Sequence, residues 1–150
     1  IISSFESALA AHIVLTSFIP MIMGTGGNSG SQSSVTIIRG LSLDEIEFSD
    51  IIRVIWKETR VAVLCGLTRA VANIFKLVLL GGVDLMASLT ISLTLVITVL
   101  VAKVIGSSLP MLAKKIGFDP AVMASPLITT MVDALSLLVY FSTATALLGI

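Results

Sequence analysis

One carboxylate stands alone inside an apolar part of the sequence. Asp133 is the single charged residue between Pro120 and Ile150. Placing a charged side chain at the centre of a membrane helix costs about 2.5–3.5 kcal/mol on insertion scales. A chain that keeps such a group directs it towards a partner, a proton or a cation. Asp133 is therefore the first candidate for chemistry in this chain.

Hydroxyl groups accompany this carboxylate at helical spacing. Polar residues follow one another at intervals of four, three, four and three: Thr129, Asp133, Ser136, Tyr140 and Thr143. These intervals place all of them on one face of a helix. Mg²⁺ and Ca²⁺ prefer carboxylate, hydroxyl and carbonyl oxygens, so the face is typical of a cation pathway. The alternative is a helix–helix interface in which the carboxylate pairs with Arg69, Lys76 or Lys103.

The composition indicates a membrane protein. Hydrophobic residues make up 56% of the chain, charged residues 12%, and the mean hydropathy is +1.11; soluble domains carry about 25% charged residues. The net charge of zero gives nucleic-acid binding no electrostatic support. Because Cys65 is the single cysteine, an intrachain disulfide and a CxxC metal site are excluded.

We expect an all-α, polytopic membrane domain covering residues 1–150. A helix needs about 20 apolar residues to cross the hydrocarbon core. The sequence predicts complete transmembrane helices at 7–23, 61–80, 85–109 and 121–148. Glycine-containing turns at 81–84 and 117–120 separate the last three, and Pro120 suits the start of a helix.

Lysine and arginine in the loops predict the orientation. Basic residues fall between the first and second segments and after the third: Arg39, Arg53, Lys57, Arg60, Lys114 and Lys115. The 81–85 turn and the C-terminal end carry none. We therefore expect the loops 24–60 and 110–120 to be cytoplasmic, in a multi-pass protein of the cell (inner) membrane.

The run 24–34 is rich in glycine and serine and contains no strongly apolar residue. Since Pro20 removes a helical hydrogen bond and glycine disfavours helix, we expect non-helical backbone here. A helix then resumes at Val35 behind a Ser33 or Ser34 cap. Broken helices are a pointer to transport sites in membrane proteins. An ordinary cytoplasmic loop is the equal alternative.

The cytoplasmic segment that follows suggests a helix lying on the membrane. Ser42 to Glu45 has the form of a capping box, and the segment 46–60 is amphipathic and contains Trp56. We expect the acids between residues 44 and 58 to form a solvated face. Lys103 is expected to extend towards the cytoplasmic interface. Arg69 and Asn73 are expected to bind neighbouring helices.

Enzyme chemistry has little support in the sequence. No second acid lies at the depth of Asp133, and His12, the single histidine, is accompanied by no nucleophile motif. We therefore do not expect an enzyme.

Several motifs, in order along nearly the whole chain, resemble the transmembrane domain of the MgtE family of magnesium channels. They are Phe5-Glu6, Pro20-x3-Gly24-Thr25-Gly26-Gly27-Asn28-x-Gly30-x-Gln32, Ile38-Arg39-Gly40-Leu41, Lys57-Glu58 before Gly66-Leu67, Gly117-x-Asp119-Pro120-Ala121, and Ser125-Pro126-Leu127-x-Thr129-Thr130-x2-Asp133.

The resemblance implies a homodimer in the lipid bilayer with an ion pathway at the subunit interface, lined by the first and fourth segments. One Asp133 carboxylate per subunit would hold a largely hydrated Mg²⁺, with a backbone carbonyl from Thr129. Mn²⁺ and Co²⁺ accept similar ligands. Further candidates for the ion path, from shared motifs or the polar face, are Glu6, Pro20, Gly24, Gly27, Asn28, Ser136 and Tyr140.

Members of this family have five transmembrane helices and cytoplasmic regulatory domains. We expect a truncated helix upstream of the four predicted here, and regulatory domains outside this sequence. The predicted function is a channel that conducts Mg²⁺ inward. Two alternatives remain open. One is a secondary transporter coupled to H⁺ or Na⁺, and the other is a non-transporting assembly module in which Asp133 forms a buried ion pair.

Overall fold

The computed structural model describes residues 2, 13–79, 81–123 and 125–148, which form helices and turns without a strand. The α-helices are α1 (Ile19–Ser42), α2 (Ile51–Leu79), α3 (Leu85–Lys115) and α4 (Ser125–Leu148). Short 3-10 helices at Ile13–Phe18, Phe48–Asp50 and Pro120–Met123 precede α1, α2 and α4. The predicted all-α class is confirmed.

Three helical stretches in the described part of the chain are long and apolar enough to cross a membrane: Phe48–Leu79, Leu85–Lys115 and Pro126–Leu148. They contain the third predicted segment, the described part of the second, which ends at Leu79, and most of the fourth. The first predicted segment, 7–23, lies largely outside the described residues; its remainder forms the 3-10 helix and the start of α1. The chain is thus a helical membrane protein, and the number of crossings stays a prediction.

The expectation of non-helical backbone at 24–34 is wrong. Helix α1 runs unbroken from Ile19 through the whole glycine-rich run to Ser42. Pro20 stands in the first turn, where its missing N–H leaves no helical bond unmade. Neither Ser33 nor Ser34 is a cap, because both lie buried in the middle of α1.

Tight packing explains why this run is helical. The buried positions Ile22, Gly26, Gly30, Ser33 and Ile37 recur at intervals of four, four, three and four along one face of α1. Glycine and serine let neighbouring helices approach closely, which stabilises membrane helices through van der Waals contact. In hydrocarbon, the backbone also has no water with which to replace helical hydrogen bonds.

Helix α2 is longer than the sequence predicts. The expected interfacial helix at 46–60 and the second membrane segment form one continuous helix from Ile51 to Leu79. The predicted capping box at Ser42 is also wrong, because Ser42 ends α1 and its Oγ donates to the Ile38 carbonyl at 2.8 Å. A capping box instead forms before α2, where Asp50 Oδ2 accepts from the Glu47 N–H at 3.0 Å.

The two turns that join the last three helices lie where the sequence predicts them, and each contains a glycine with a positive φ. Gly82 and Gly117 have φ values of +57° and +84°, in the left-handed region that glycine adopts without strain. Asp84 caps α3 by accepting from the Met86 N–H at 3.0 Å. Pro120 opens a 3-10 helix, and α4 begins later than predicted, at Ser125.

Helix α3 is the central element of the structure. It packs against α1, α2 and α4, and about half of its residues are buried, whereas Leu89 and Leu93 on one side are exposed. Helix α2 touches α3 through a narrow stripe that includes Ala62, Gly66 and Ala70, and its outer face bears exposed Leu64, Val71 and Phe75. An apolar outer face of this kind suits contact with lipid. Helix α4 packs on α1 and α3, so the residues of its inner face lie beside α1.

Candidate functional site

Asp133 lies at the seam between α4 and α1. It is half-buried, on α4, about 12 Å along the helix axis from Ser125. Its Oδ1 atom is buried and has no hydrogen-bond partner among the described residues. Such an atom is costly to leave unpaired, whichever protonation state it has. The carboxylate is therefore placed to receive a hydrogen-bond donor or a cation.

Gly27 of α1 allows this placement. A Cβ atom on Gly27 would lie 3.0 Å from Asp133 Oδ1 and 3.0 Å from Thr129 Cγ2. Both are closer than ordinary van der Waals contact, so any larger residue would push the two helices apart or displace the carboxylate. Glycine at this position brings the backbone of α1 directly against the acid.

Hydroxyl groups of the two helices meet one turn from the acid. Ser31 Oγ on α1 and Thr129 Oγ1 on α4 are 3.1 Å apart and share a hydrogen bond. This bond and the Gly27 contact fix the register of α1 against α4 at Asp133 and at Thr129, one turn before it. Thr129 is half-buried and sits beside Asp133 on the helix face, as the sequence spacing predicts.

Two further members of the polar face, Ser136 and Tyr140, lie in the core of this chain. Ser136 is 2% exposed and its Oγ donates to the Val132 carbonyl at 2.7 Å. Tyr140 is fully buried and its hydroxyl donates to the Leu15 carbonyl at 2.8 Å. Within one chain, Tyr140 therefore joins α4 to the segment before α1. The predicted five-residue stripe thus has two buried members, Ser136 and Tyr140, whereas Thr129, Asp133 and Thr143 are half-buried.

Other candidates lie on the open side of α1. Pro20, Gly24 and Asn28 are spaced by four and are exposed. A Cβ on Gly24 would meet nothing within 4 Å in this chain. These residues and Asp133 border one face of the molecule that its own helices leave uncovered. Glu6, the remaining candidate, lies outside the described residues.

Lys103 does not extend to the interface, contrary to the sequence expectation. It is 8% exposed, and its Nζ lies 3.1 Å from Glu58 Oε2 in a buried ion pair. Glu58 is 7% exposed, so it does not belong to the expected solvated face. The cause is mutual: each charge supplies the partner that makes burial of the other tolerable. The residue pattern within a single helix does not indicate this pair, because Glu58 and Lys103 lie on different helices.

The other basic residues named as partners for the acid lie elsewhere. Arg69 and Lys76 line a cleft of about 260 Å³ between α1, α2 and α3, which α4 does not border. Asn73, on the same side of α2, donates from Nδ2 to Ser92 Oγ on α3 at 3.2 Å. This bond fits the expectation that Asn73 binds a neighbouring helix. Among the described residues, Asp133 forms no ion pair with Arg69, Lys76 or Lys103.

The described residues contain no cluster of three or more histidine, cysteine, aspartate or glutamate side chains able to hold a metal ion. Asp133 supplies one carboxylate, and the Ser31 and Thr129 hydroxyls lie one helical turn away. These are ligands for a hard, oxygen-seeking cation that keeps part of its water, as Mg²⁺ does.

The fold and the site define a class: a helical membrane protein in which a carboxylate on a membrane-capable helix lies between two helices. The model of the MgtE family, described as divalent cation transporters, matches residues 19–143. The chain therefore belongs to the MgtE family, and the resemblance drawn from its motifs is confirmed.

Magnesium transporters named MgtE from three bacteria are similar to this chain. The identity is 38% over 148 residues to the Thermus thermophilus protein, covering 99% of this chain and 32% of that protein. For the Bacillus subtilis protein it is 38%, covering 97% and 32%. For the Enterococcus faecalis protein it is 36%, covering 96% and 32%. The chain thus spans about a third of the length of these relatives.

Proposed function

We propose that this chain is the ion-conducting part of a homodimeric channel that carries Mg²⁺ into the cell. Its similarity to magnesium transporters supports the choice of ion. The observation that carries the site is the buried, unpartnered Oδ1 of Asp133 at the seam of α1 and α4. A second copy facing the open side of this seam would bring another Asp133 to the same pathway.

Two carboxylates across a dimer axis suit a hydrated divalent cation. Mg²⁺ gives up its water reluctantly and is usually bound through one or two carboxylates with several waters retained. The paired Asp133 side chains supply the charge, and the Thr129 carbonyls accept hydrogen bonds from the bound water. Mn²⁺ and Co²⁺ enter the same oxygen site as competitors. The basic end of α3, with Lys114 and Lys115 in its last turn, faces the cytoplasm.

Two structural findings favour a channel over the alternatives. The carrier hypothesis needs a broken helix at 24–34, whereas α1 is continuous there. The assembly-module hypothesis needs an ion pair between Asp133 and Arg69, Lys76 or Lys103. Lys103 is instead bound to Glu58, and the other two line a separate cleft.

The test is Mg²⁺ uptake by the full-length protein in proteoliposomes. Because Asp133→Asn keeps the shape of the side chain and removes its charge, we expect uptake to fall at least about tenfold while the protein remains folded, a loss of roughly 1.4 kcal/mol or more of ion stabilisation. Glu45→Gln, which changes an exposed acid outside the predicted membrane segments, is the matched control and should leave uptake unchanged. Unaltered uptake in Asp133→Asn would exclude the proposed site.

The same liposomes separate a channel from a carrier. Uptake driven by membrane potential alone, with no H⁺ or Na⁺ gradient, and unitary currents in planar bilayers are expected for a channel. A fixed stoichiometry of Mg²⁺ to H⁺ or Na⁺ would instead establish the coupled carrier.

A further inference from the structure

Three polar side chains from three helices meet in a buried cluster away from Asp133. Ser33 belongs to α1, Glu58 to α2 and Lys103 to α3, and their exposures are 2%, 7% and 8%. Ser33 Oγ donates to Glu58 Oε2 at 2.6 Å. Lys103 Nζ donates to the same carboxylate oxygen at 3.1 Å and to Ser33 Oγ at 3.0 Å. Every pair in the cluster is therefore bonded.

The cluster joins α1 to the other two helices at one defined position. Ser33 contributes the hydroxyl that both charged groups contact, so sliding or turning α1 breaks two bonds at once. Replacing a buried ion pair by apolar residues of similar volume is often neutral or even stabilising. Stability alone therefore does not account for these charges, and in some proteins buried polar groups fix the register of neighbouring helices.

A rigid path connects the cluster to the acid. Along α1, Ser33 is separated from Gly27 by six residues, about 9 Å of helix axis. Gly30 lies between them and touches α3 and α4, where its missing side chain leaves room for Ala102, Ile128 and Val132. Since α1 is continuous from Gly27 to Ser33, fixing one end of this stretch fixes the other.

We propose that Ser33, Glu58 and Lys103 form a positioning cluster that sets the register of α1 against α4 and thereby the geometry of the ion site at Asp133. The cluster does not touch the ion. Its effect on transport rests on the proposed function, while its effect on helix register does not. The two consequences are therefore measured separately.

A cross-link between α1 and α4 reports the register directly. The Ser31 and Thr129 hydroxyl oxygens are 3.1 Å apart, so cysteines at these positions in a Cys65→Ala full-length protein are expected to form a disulfide rapidly under mild oxidation. Into this background we introduce Ser33→Ala, which removes the link to α1 but leaves the Glu58–Lys103 pair. The matched control is Ser29→Ala, because Ser29 is also buried on α1 but donates to its own helix, at the Thr25 carbonyl.

We expect Ser33→Ala to slow disulfide formation roughly threefold or more, and to lower the thermal unfolding temperature modestly in a protein that still folds, because two buried hydrogen bonds to charged groups are lost. Ser29→Ala should cross-link at the parent rate. Uptake is measured in proteins without the two introduced cysteines, which retain Ser31 and Thr129. There, Ser33→Ala should raise the half-saturating Mg²⁺ concentration by a similar factor. Equal cross-linking and equal half-saturation in the two variants would overturn the proposal.

A second variant keeps the test decisive if Ser33→Ala folds poorly. Glu58→Leu with Lys103→Met removes both charges and both hydrogen-bonding partners of Ser33 and leaves no unpaired ion, so we expect a folded protein with the same loss of register. Parent-like cross-linking in this double variant would also refute the cluster's role. If Asp133→Asn leaves uptake intact, the ion site fails, but the disulfide rates still decide whether the cluster sets the register.

Discussion

At the scale of single residues, the absence of a Cβ atom on Gly27 determines how closely α1 approaches Asp133. Nothing lies between its Cα and the carboxylate, and an added Cβ would contact both Asp133 Oδ1 and Thr129 Cγ2 at 3.0 Å. The neighbouring side chains, rather than backbone, would have to move. The expected consequence is a displaced acid in a protein that still folds.

Gly27→Ala is therefore expected to weaken ion handling more than folding. We predict a roughly tenfold rise in the half-saturating Mg²⁺ concentration, equivalent to about 1.4 kcal/mol, and a loss of stability within the range of about 1–3 kcal/mol typical of overpacking. Uptake assays and thermal unfolding in detergent measure the two effects. Thr36→Ala, at an exposed position on the same helix, is the control and should change neither. Parent-like half-saturation in Gly27→Ala would contradict the predicted geometry.

At the scale of elements, α1 and α3 cross at a contact between two glycines. A Cβ on Gly106 would meet the backbone of Gly30, its carbonyl oxygen most closely and its Cα at 2.9 Å. Backbone atoms cannot rotate away, so the helices themselves would have to separate. The crossing lies one turn from Ser33 on α1 and from Lys103 on α3, so separation would also strain the buried cluster.

Gly106→Ala is expected to destabilise the bundle by about 2–3 kcal/mol, at the upper end of overpacking costs. Gly66→Ala, where the added Cβ would lie 3.1 Å from Val96 Cα and 3.3 Å from its Cγ1, should cost less. Unfolding in mixed micelles gives both values. An equal or smaller cost for Gly106→Ala would show that α1 and α3 are not as closely packed as described.

At the scale of the whole molecule, the proposed homodimer would use the exposed side of α1. Pro20, Gly24 and Asn28 follow the exposed side of α1, next to the seam that holds Asp133. Helix α2 lies across the bundle from α4, packed on α3, with exposed apolar side chains that suit lipid. A homodimer with its axis at the α1–α4 seam would bring two Asp133 side chains together, whereas one formed through α2 would not.

Cysteine cross-linking distinguishes these dimers. Asn28→Cys in a Cys65→Ala background is expected to form a disulfide between subunits in liposomes, because Asn28 borders the proposed axis. The natural Cys65, exposed on α2, serves as the comparison in the parent protein and should give monomers. Dimers through Cys65 but not through Asn28→Cys would place the interface on the wrong side for the proposed pore.

The sequence was sufficient for the elements that have a strong local signal. The apolar segments at 61–80 and 85–109, the glycine turns and the Asp133–Thr129 face depend on composition and spacing over one helix, and the structure reproduces them. The prediction of non-helical backbone at 24–34 was wrong because it rested on helix propensities in water, whereas this segment packs between helices. The small-residue spacing from Gly26 to Gly30 was the signal that favours a packed membrane helix.

The sequence by itself determined a helical membrane domain, its MgtE-like motifs and one acid whose placement in a membrane helix costs free energy. The tertiary structure decided which hydrogen-bond and ion-pair partners each polar group has. Lys103 bonds to Glu58 and Ser33, whereas Asp133 Oδ1 lies against Gly27 and has no hydrogen-bond partner among the described residues. The reason is physical: helical periodicity is local and can be read along the chain, whereas the pairing of buried charges depends on which helices become neighbours and at what register.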